Sequence, residues 1–227
     1  APLNAAWHLR AFGYDPILIS RIGSDTRGKR IREIMENWGM DTQGLQVDSV
    51  FPTGVVNVSH GELGPDFRIE PDQAYDHISL EDIPASLKTE PFSLILHGTL
   101  ALRSSNSYQA LANLREKLKV PTFADLNLRT PWWNQNLLEE ILQNISWLKV
   151  NEEELKTISQ TTEDSSQITY PELAKRVIQQ YKNIELFLVT LGAEGALAVT
   201  KQGEIFQEKN MPIPATELKD TVGGGDA

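Results

Sequence analysis

The chain has 227 residues, and 40% of them are hydrophobic, which is enough for one large α/β domain or two small ones with a real core. Its 31 acidic and 21 basic residues give a formal net charge of −10 without a basic stripe, so nucleic acid is not an expected partner. There is no cysteine and no apolar run near the roughly 18 residues that span a membrane, so we expect a cytoplasmic enzyme or binding protein without disulfides.

The two ends of the sequence suggest a part of a longer protein. The first residues, Ala1-Pro-Leu-Asn-Ala-Ala-Trp7, are typical of the first turn of a helix. The last residues, Asp220-Thr-Val-Gly-Gly-Gly-Asp-Ala227, form a loop with three consecutive glycines. We therefore expect residues 1–227 to be a fragment.

Five short runs of residues with high β-propensity recur along the chain, each followed by turn residues and a segment with helical periodicity. Such alternation is typical of a parallel sheet covered by helices. The runs therefore predict an α/β fold with a doubly wound, mostly parallel sheet. Their bounds are Ile17–Ser20, Leu94–His97, Thr122–Ala124, Trp147–Val150 and Leu186–Val189.

Three segments between these strands carry one apolar stripe each, as helices that pack on a sheet do. The first is followed by Gly39, which is expected at the C′ position that ends a helix. The stripes are Ile31, Ile34, Met35 and Trp38; Leu111, Leu114 and Leu118; and Leu173, Ala174, Val177, Ile178 and Tyr181.

The stretch Thr53–Glu70 has a different pattern. Val56 and Val58, and later Phe67 and Ile69, alternate with polar residues on either side of a glycine-containing turn. This pattern predicts a β-hairpin. The hairpin could be part of a lid over a ligand, formed by approximately residues 52–78, or an edge extension of the main sheet.

Polar residues and glycines follow four of the predicted strands at the point where each strand ends. In a doubly wound sheet these ends meet at one edge, where ligands bind. We therefore expect the residues to line one site. They are Gly98 and Arg103; Asp125, Asn127 and Arg129; Asn151 and Glu154; and Thr190, Gly192 and Gly195.

Each of these residues also has a purely structural explanation. Asp125 and Asn127 could cap the helix near Pro131. Asn151 could be an N-cap, with Glu154 in an acidic first turn that the helix dipole favours. The convergence of all four sets on one edge, more than any single residue, favours a ligand site.

The glycine run near the end favours phosphate chemistry. Three glycines expose successive backbone N–H groups, which form an anion cradle if a helix begins there. Asp226 would then stand beside a bound phosphate, where a carboxylate can accept the proton of an attacking hydroxyl. This combination predicts phosphoryl transfer to an alcohol.

Several motifs in order along the chain resemble those of the ribokinase-like (PfkB) carbohydrate kinases. The final "DTVGGGDA" is similar to the family's "DTxGAGD", with Gly224 in place of the usual alanine. The stretches Ala74-Tyr-Asp-His-Ile78 and Asp125-Leu-Asn-Leu-Arg-Thr-Pro-Trp-Trp133 resemble the fructokinase-type members. Further matches are Ala1-Pro-Leu-Asn4 ("GGAPxN"), Ile22-Gly-Ser-Asp-Thr-Arg-Gly28 ("xGxDxxG"), Asn151-Glu-Glu-Glu154 ("NxxE") and Thr190-Leu-Gly-Ala-Glu-Gly195 ("TxGxxG").

Carried over residue by residue, the resemblance implies a catalytic group, a sugar side and a nucleotide side. In the catalytic group Asp226 is the base. The amides of Gly223, Gly224, Gly225 and Asp226 form the anion hole. The remaining roles are sugar contacts from Asn4, Asn127, Arg129 and Arg103; nucleotide contacts from Thr190, Gly192 and Gly195; and magnesium organised through water by Asn151 and Glu154.

The resemblance also implies partners and missing parts. ATP and Mg²⁺ are expected, as are K⁺ near Asp220-Thr-Val222 and a homodimer through the lid. The family's first strand and its C-terminal helices would lie outside residues 1–227, which otherwise form a single kinase domain.

The leading interpretation is an ATP-dependent kinase that converts D-fructose to fructose 6-phosphate, with no nucleic acid or membrane partner. 2-Keto-3-deoxygluconate is the alternative sugar, because Arg129 would also bind its carboxylate. A non-catalytic sugar- or nucleotide-sensing module is the alternative class. Asp226 speaks against that class, because a sensor needs no base.

Overall fold

A computed structural model describes residues 1–61, 64–160 and 168–210, with side chains described throughout except at positions 58–61 and 64–67. The chain divides into two compact units. The first consists of Pro2–Pro91 and Ala101–Leu118, and the second of Phe92–Leu100 with the residues from Lys119 onward and Ala1. No helix within these described ranges is long and apolar enough to cross a membrane.

The first unit contains a small parallel sheet between helices. Its core is made of buried apolar side chains from the helices and the strands. The elements are α1 (Pro2–Ala11), β1 (Ser20–Gly23), α2 (Thr26–Asn37), β2 (Leu45–Asp48), β3 (Val56–Gly61), β4 (Gly64–Ile69) and α3 (Ser105–Leu118), with 3-10 turns at Ala74–His77, Ser86–Lys88 and Leu100–Arg103.

Strand β1 lies three residues later than the predicted run Ile17–Ser20, of which Ile17 forms only an isolated bridge to Asp41. It pairs in parallel with β2, and the two form a separate two-stranded sheet. The run of apolar residues does not mark this strand because the strand contains Arg21, whose charge is paired with the neighbouring strand: its Nε donates to Asp48 of β2 at 2.7 Å. Polar residues that are paired in this way hide a strand from a search for apolar runs.

Helix α2 has the predicted C-terminal end. Asp25 is its N-cap and accepts a hydrogen bond from the Gly28 amide. At the other end Gly39 has φ +72°, and its amide donates to the Glu36 carbonyl at 2.9 Å. This left-handed glycine at C′ ends the helix as predicted. In the predicted stripe Met35 is fully buried, whereas Ile34 is largely exposed at the edge of the stripe.

Strands β3 and β4 form the predicted hairpin, with Val56 opposite Ile69 and Gly61 opposite Gly64. They make a two-stranded sheet of their own. Because the described six-stranded sheet of the second unit has β10 and β5 at its edges, the hairpin does not extend that sheet. The edge-strand interpretation is therefore wrong.

The second unit is built on a six-stranded sheet in the order β10-β9-β8-β7-β6-β5. Strands β5 to β8 are parallel, and β9 and β10 are antiparallel to their neighbours. The predicted α/β class with a mostly parallel sheet is confirmed. The elements are β5 (Ile95–His97), β6 (Thr122–Asp125), α4 (Gln135–Gln143), β7 (Trp147–Asn151), α5 (Glu152–Ile158), α6 (Tyr170–Gln180), β8 (Leu186–Thr190), β9 (Ala196–Thr200) and β10 (Ile205–Glu208).

Helix α6 buries the whole stripe predicted for it, from Leu173 to Tyr181. In α3, Leu111 and Leu114 are buried as predicted. Strands β9 and β10 were not predicted. In β9 Leu197 and Val199 are buried, whereas all of β10 is exposed and offers no apolar pattern.

Candidate functional site

The parallel strands of the second unit bring polar residues to one edge of the sheet. Asp125, Asn151 and Thr190 are the last residues of β6, β7 and β8, and Asn151 lies directly beside Thr190. The predicted convergence within this unit is therefore present in the fold. Asn127 and Arg129 follow β6 in a loop, and Glu154 lies in the first turn of α5.

The loop after β6 is held through its backbone. The Leu126 amide donates to the Lys149 carbonyl of β7 at 3.1 Å, and its side chain is fully buried. Asn127 has φ +45°, a left-handed conformation that asparagine tolerates better than most residues. The Arg129 carbonyl accepts the Trp132 amide at 2.7 Å. Backbone hydrogen bonds thus hold the segment that carries Asn127 and Arg129 at both of its ends.

Asn151 and Glu154 form a capping box at the start of α5. The Asn151 side chain accepts the Glu154 amide at 2.9 Å, and Glu154 Oε2 accepts the Asn151 amide at 2.9 Å. This confirms the N-cap interpretation of Asn151. The other carboxylate oxygen, Oε1, accepts the Leu128 amide at 2.6 Å. One buried carboxylate therefore serves the helix start and the neighbouring loop.

Burial raises the pKa of Glu154, although hydrogen bonds from the Asn151 and Leu128 amides oppose this effect. The Asp125 charge also raises this pKa, and the Lys149 charge lowers it. Asp125 and Lys149 themselves form an ion pair, with Lys149 Nζ and Asp125 Oδ2 2.9 Å apart.

The N-cap of α4 is Asn134, whose side chain accepts the Leu137 amide. Neither Asp125 nor Asn127 is therefore the helix cap near Pro131 that their loop position suggested.

The two glycines of the "TxGxxG" stretch have different surroundings. Gly192 has φ +54°, and a Cβ there would meet no atom of the described residues within 4 Å. Gly195 has φ +105°, and a Cβ there would lie 1.9 Å from the Glu208 carbonyl oxygen of β10. Gly195 therefore allows close packing of the sheet. Thr190 Oγ1 donates to the Val150 carbonyl at 3.4 Å.

Two predicted sugar-side residues, Asn4 and Arg103, belong to the first unit. Asn4 lies in the first turn of α1. Arg103 is nearly buried and donates from Nε and Nη2 to the two carboxylate oxygens of Asp76, at 2.8 and 2.6 Å. Its Nη2 also donates to the Glu70 carbonyl at 2.7 Å. These bonds link Arg103 to the chain just after the hairpin.

Asp25 forms a second polar centre, which the sequence indicated only through its motif. Its carboxylate accepts the Thr53 amide at 2.8 Å, the Thr53 hydroxyl at 2.8 Å and the Gly28 amide at 2.9 Å. These hydrogen bonds, those from the Thr53 and Gly28 amides above all, lower the pKa of Asp25 to about 2. The centre ties the start of α2 to the segment that enters the hairpin.

The predicted catalytic residues Gly223, Gly224, Gly225 and Asp226 lie outside the described residues, as does the Asp220-Thr-Val222 segment. Among the described residues, no group of three His, Cys, Asp or Glu side chains could hold a metal ion. The Glu154 oxygens each accept one backbone N–H and keep a further lone pair. Because Mg²⁺ retains several waters and binds few carboxylates, Asn151 and Glu154 fit a water-mediated site.

A mostly parallel sheet with polar residues at the carboxyl ends of its strands is typical of α/β enzymes that bind ligands at that edge, and sequence comparison identifies the family. The pfkB family carbohydrate kinases match residues 1–227, so the chain belongs to that family. The predicted family, fold and enzyme class are confirmed.

Individual relatives support this assignment. The uncharacterized sugar kinase PH1459 of Pyrococcus horikoshii is 26% identical over 229 residues, which are 100% of this chain and 69% of the relative. A fructokinase from Vibrio cholerae O395 with fructose, ADP and calcium bound is 26% identical with a TM-score of 0.79, over 99% of this chain and 71% of that one. The 2-dehydro-3-deoxygluconokinase of Thermoproteus tenax is 25% identical, over 92% of this chain and 64% of that relative. The chain thus spans about two thirds of the length of these relatives.

Proposed function

We propose that the full-length protein is an ATP-dependent kinase that phosphorylates D-fructose to fructose 6-phosphate. The observation that carries this proposal is the set of polar residues at one sheet edge, with Arg129 and Asn127 on a loop held by backbone hydrogen bonds. The Vibrio cholerae relative, which binds fructose and ADP, supports the choice of sugar and nucleotide.

The proposed reaction is a direct transfer. Asp226 accepts the proton of the attacking sugar hydroxyl, whose oxygen forms a bond to the γ-phosphorus. The bond from this phosphorus to the bridging oxygen breaks, and ADP leaves with that electron pair. The amides of Gly223, Gly224 and Gly225 donate to the transferring group and stabilise its negative charge.

Residues of the described part have supporting roles in this proposal. Arg129 presents a planar, always charged group that suits the phosphoryl oxygens, and Asn127 supplies amide donors and acceptors for sugar hydroxyls. Asn151 and Glu154 hold waters of a magnesium ion, which when bound neutralises phosphate charge. Thr190 and Gly192 face the nucleotide, and no atom of the described residues lies within 4 Å of where a Cβ of Gly192 would stand.

The experiment that tests the proposal is a coupled ADP-release assay of the full-length protein with ATP, magnesium and a panel of sugars. The panel contains fructose, 2-keto-3-deoxygluconate, ribose and aminoimidazole riboside. We expect fructose to have the highest kcat/KM. No turnover of any sugar would contradict the kinase proposal, whereas a different best sugar would contradict only the choice of fructose.

A second candidate substrate is 2-keto-3-deoxygluconate. Arg129 could form a bidentate pair with its carboxylate, and the Thermoproteus tenax relative is almost as similar as the fructokinase. Arg129→Lys separates the two sugars, because lysine keeps the charge but loses the paired geometry. A keto-acid substrate should lose about 10- to 100-fold in kcat/KM, as a lost charge-assisted pair of about 1.5–3 kcal/mol implies. With fructose as the substrate, Arg129→Lys should raise KM less than it does with the keto acid and should lower kcat more than it raises KM.

A further inference from the structure

We propose that Glu154 is a positioning residue that fixes the loop carrying Arg129, in addition to any part it has in organising magnesium. The loop consists of residues 126–129, and the Glu154 tether is the pair of hydrogen bonds that its carboxylate accepts from the amides of Leu128 and Asn151. The inference rests on the proposed function only for the task of Arg129. The tether itself is a feature of the described fold.

The tether joins segments that are distant in sequence. Leu128 is 26 residues from Glu154, and its amide lies 2.6 Å from Glu154 Oε1. Oε2 accepts the Asn151 amide at the end of β7. Because each oxygen binds a different segment, the carboxylate fixes the distance between the loop after β6 and the start of α5.

The tether binds the loop at the position directly before Arg129. Leu128 directly precedes Arg129, and on the other side the Arg129 carbonyl accepts the Trp132 amide. Earlier in the loop the Leu126 amide is bound to the Lys149 carbonyl. Without the Leu128 contact, Asn127 and Leu128 would have no hydrogen bond to the rest of the described residues. A displacement of about 1 Å at a substrate-positioning group can cost about 100-fold in rate.

The carboxylate is specifically suited to this task. Glu154 is 6% exposed, and an ionised group at such a site requires hydrogen-bond partners. Its two oxygens accept from two amides, and Lys149 provides a nearby positive charge. Glutamine has nearly the same shape but only one acceptor oxygen, so its NH₂ group would face one of the two backbone N–H groups. Glu154→Gln therefore removes one arm of the tether with little change in volume.

The first experiment measures amide hydrogen exchange in the full-length protein without ligands and with EDTA, so that magnesium has no part. In Glu154→Gln we expect the amide that loses its acceptor, that of Leu128 or that of Asn151, to exchange about 10-fold faster or more than in the wild type, while the amides of residues 147–150 in β7 keep their protection. Glu153→Gln is the matched control, since Glu153 is exposed in the same helical turn. Unchanged exchange at both Leu128 and Asn151 in Glu154→Gln would overturn the inference.

The second experiment is a double-mutant cycle of Glu154→Gln with Arg129→Lys at saturating magnesium. If Glu154 acts through Arg129, the Arg129→Lys change should reduce kcat/KM several-fold less in the Glu154→Gln background than in the wild type. Additive effects, or full recovery of Glu154→Gln at high magnesium, would overturn the positioning role.

A backbone ester at Leu128, which removes the donor N–H without altering either side chain, keeps the inference testable if Glu154→Gln does not fold. The ester variant should have a lower kcat/KM for the sugar than the wild type, as Glu154→Gln should. Wild-type kinetics of the ester variant would contradict the inference. Absence of sugar phosphorylation by the wild type would contradict the proposed function alone, because the exchange experiment needs no substrate.

Discussion

Arg103 and Asp76 form a bidentate ion pair whose two side chains are both less than one-tenth exposed. Removal of one partner of such a pair leaves a buried charge uncompensated, at a cost of about 3–5 kcal/mol. We therefore expect Asp76→Asn to lower the free energy of unfolding by about 3 kcal/mol, measured by urea denaturation.

The exposed pair Arg68–Glu70 in the same unit provides the control. Arg68→Gln should change the free energy of unfolding by less than about 1 kcal/mol, because exposed pairs contribute little. An Asp76→Asn protein with unchanged stability and a raised KM for the sugar would instead support the sugar-side role predicted for Arg103.

Asp25 predicts an acid-dependent loss of stability. Its pKa in the folded protein is about 2, below the ordinary value of 3.8, because the Thr53 and Gly28 amides donate to the ionised form. A depressed pKa stabilises the fold above pH about 4, and this contribution is lost as the pH falls from about 4 to about 2.

The check is a series of thermal unfolding experiments between pH 5 and pH 2, in roughly half-unit steps, on the wild type and Asp25→Asn. The variant should lose less stability across this window, because the residue no longer titrates. Parallel curves for the two proteins would contradict the role assigned to Asp25. Asp15→Asn, at an exposed position in the same unit, is the control.

Gly28 is the third test. Replacement of a glycine inside a helix with alanine usually stabilises the protein, by up to about 1 kcal/mol. In α2, however, a Cβ at Gly28 would lie 2.1 Å from the Gly23 carbonyl oxygen. We expect Gly28→Ala to destabilise the protein by about 1–3 kcal/mol, as overpacking does.

Gly98→Ala is the matched control for this substitution, because a Cβ there would meet only the Asp125 carbonyl oxygen at 3.6 Å. Its free energy of unfolding should stay within about 1 kcal/mol of the wild type. A Gly28→Ala protein that is more stable than the wild type would show that α2 and β1 can separate without cost.

The parts of the fold that the sequence predicted are those with regular apolar patterns. Helix α6 was predicted residue by residue because its stripe from Leu173 to Tyr181 packs on a sheet. Strand β2 was missed because two of its four residues, Gln46 and Asp48, are polar yet buried, and Arg21 satisfies them. That pairing is tertiary and leaves no periodic signal in the sequence.

The candidate site divides in a similar way. The positions of Asp125, Asn151 and Thr190 follow from the rule that parallel strands end at one edge, and the capping box follows from the Asn-x-x-Glu spacing. The bond from Leu128 to Glu154 could not be predicted, because it depends on the path of a loop 26 residues away. Likewise, the position of Arg103 after a strand gave no sign of its pairing with Asp76.

The hairpin of β3 and β4 is proposed to close over bound sugar as part of a lid. We expect amide exchange in residues 56–69 to slow when saturating fructose is added to the full-length protein, because closure protects the hairpin hydrogen bonds. Residues 196–208, in β9 and β10, serve as the internal control. Equal exchange in the hairpin with and without a sugar that is turned over would contradict the lid.

The central claim is phosphoryl transfer from ATP to a sugar hydroxyl with Asp226 as the base. Its most direct test is the rate of ADP release by the full-length protein with fructose, compared between the wild type, Asp226→Asn and the control Glu217→Gln. We predict that Asp226→Asn lowers kcat by about 100-fold or more with little change in nucleotide binding, as loss of a general base does, while Glu217→Gln stays near the wild type. An Asp226→Asn enzyme whose kcat is within about threefold of the wild type would contradict the claim.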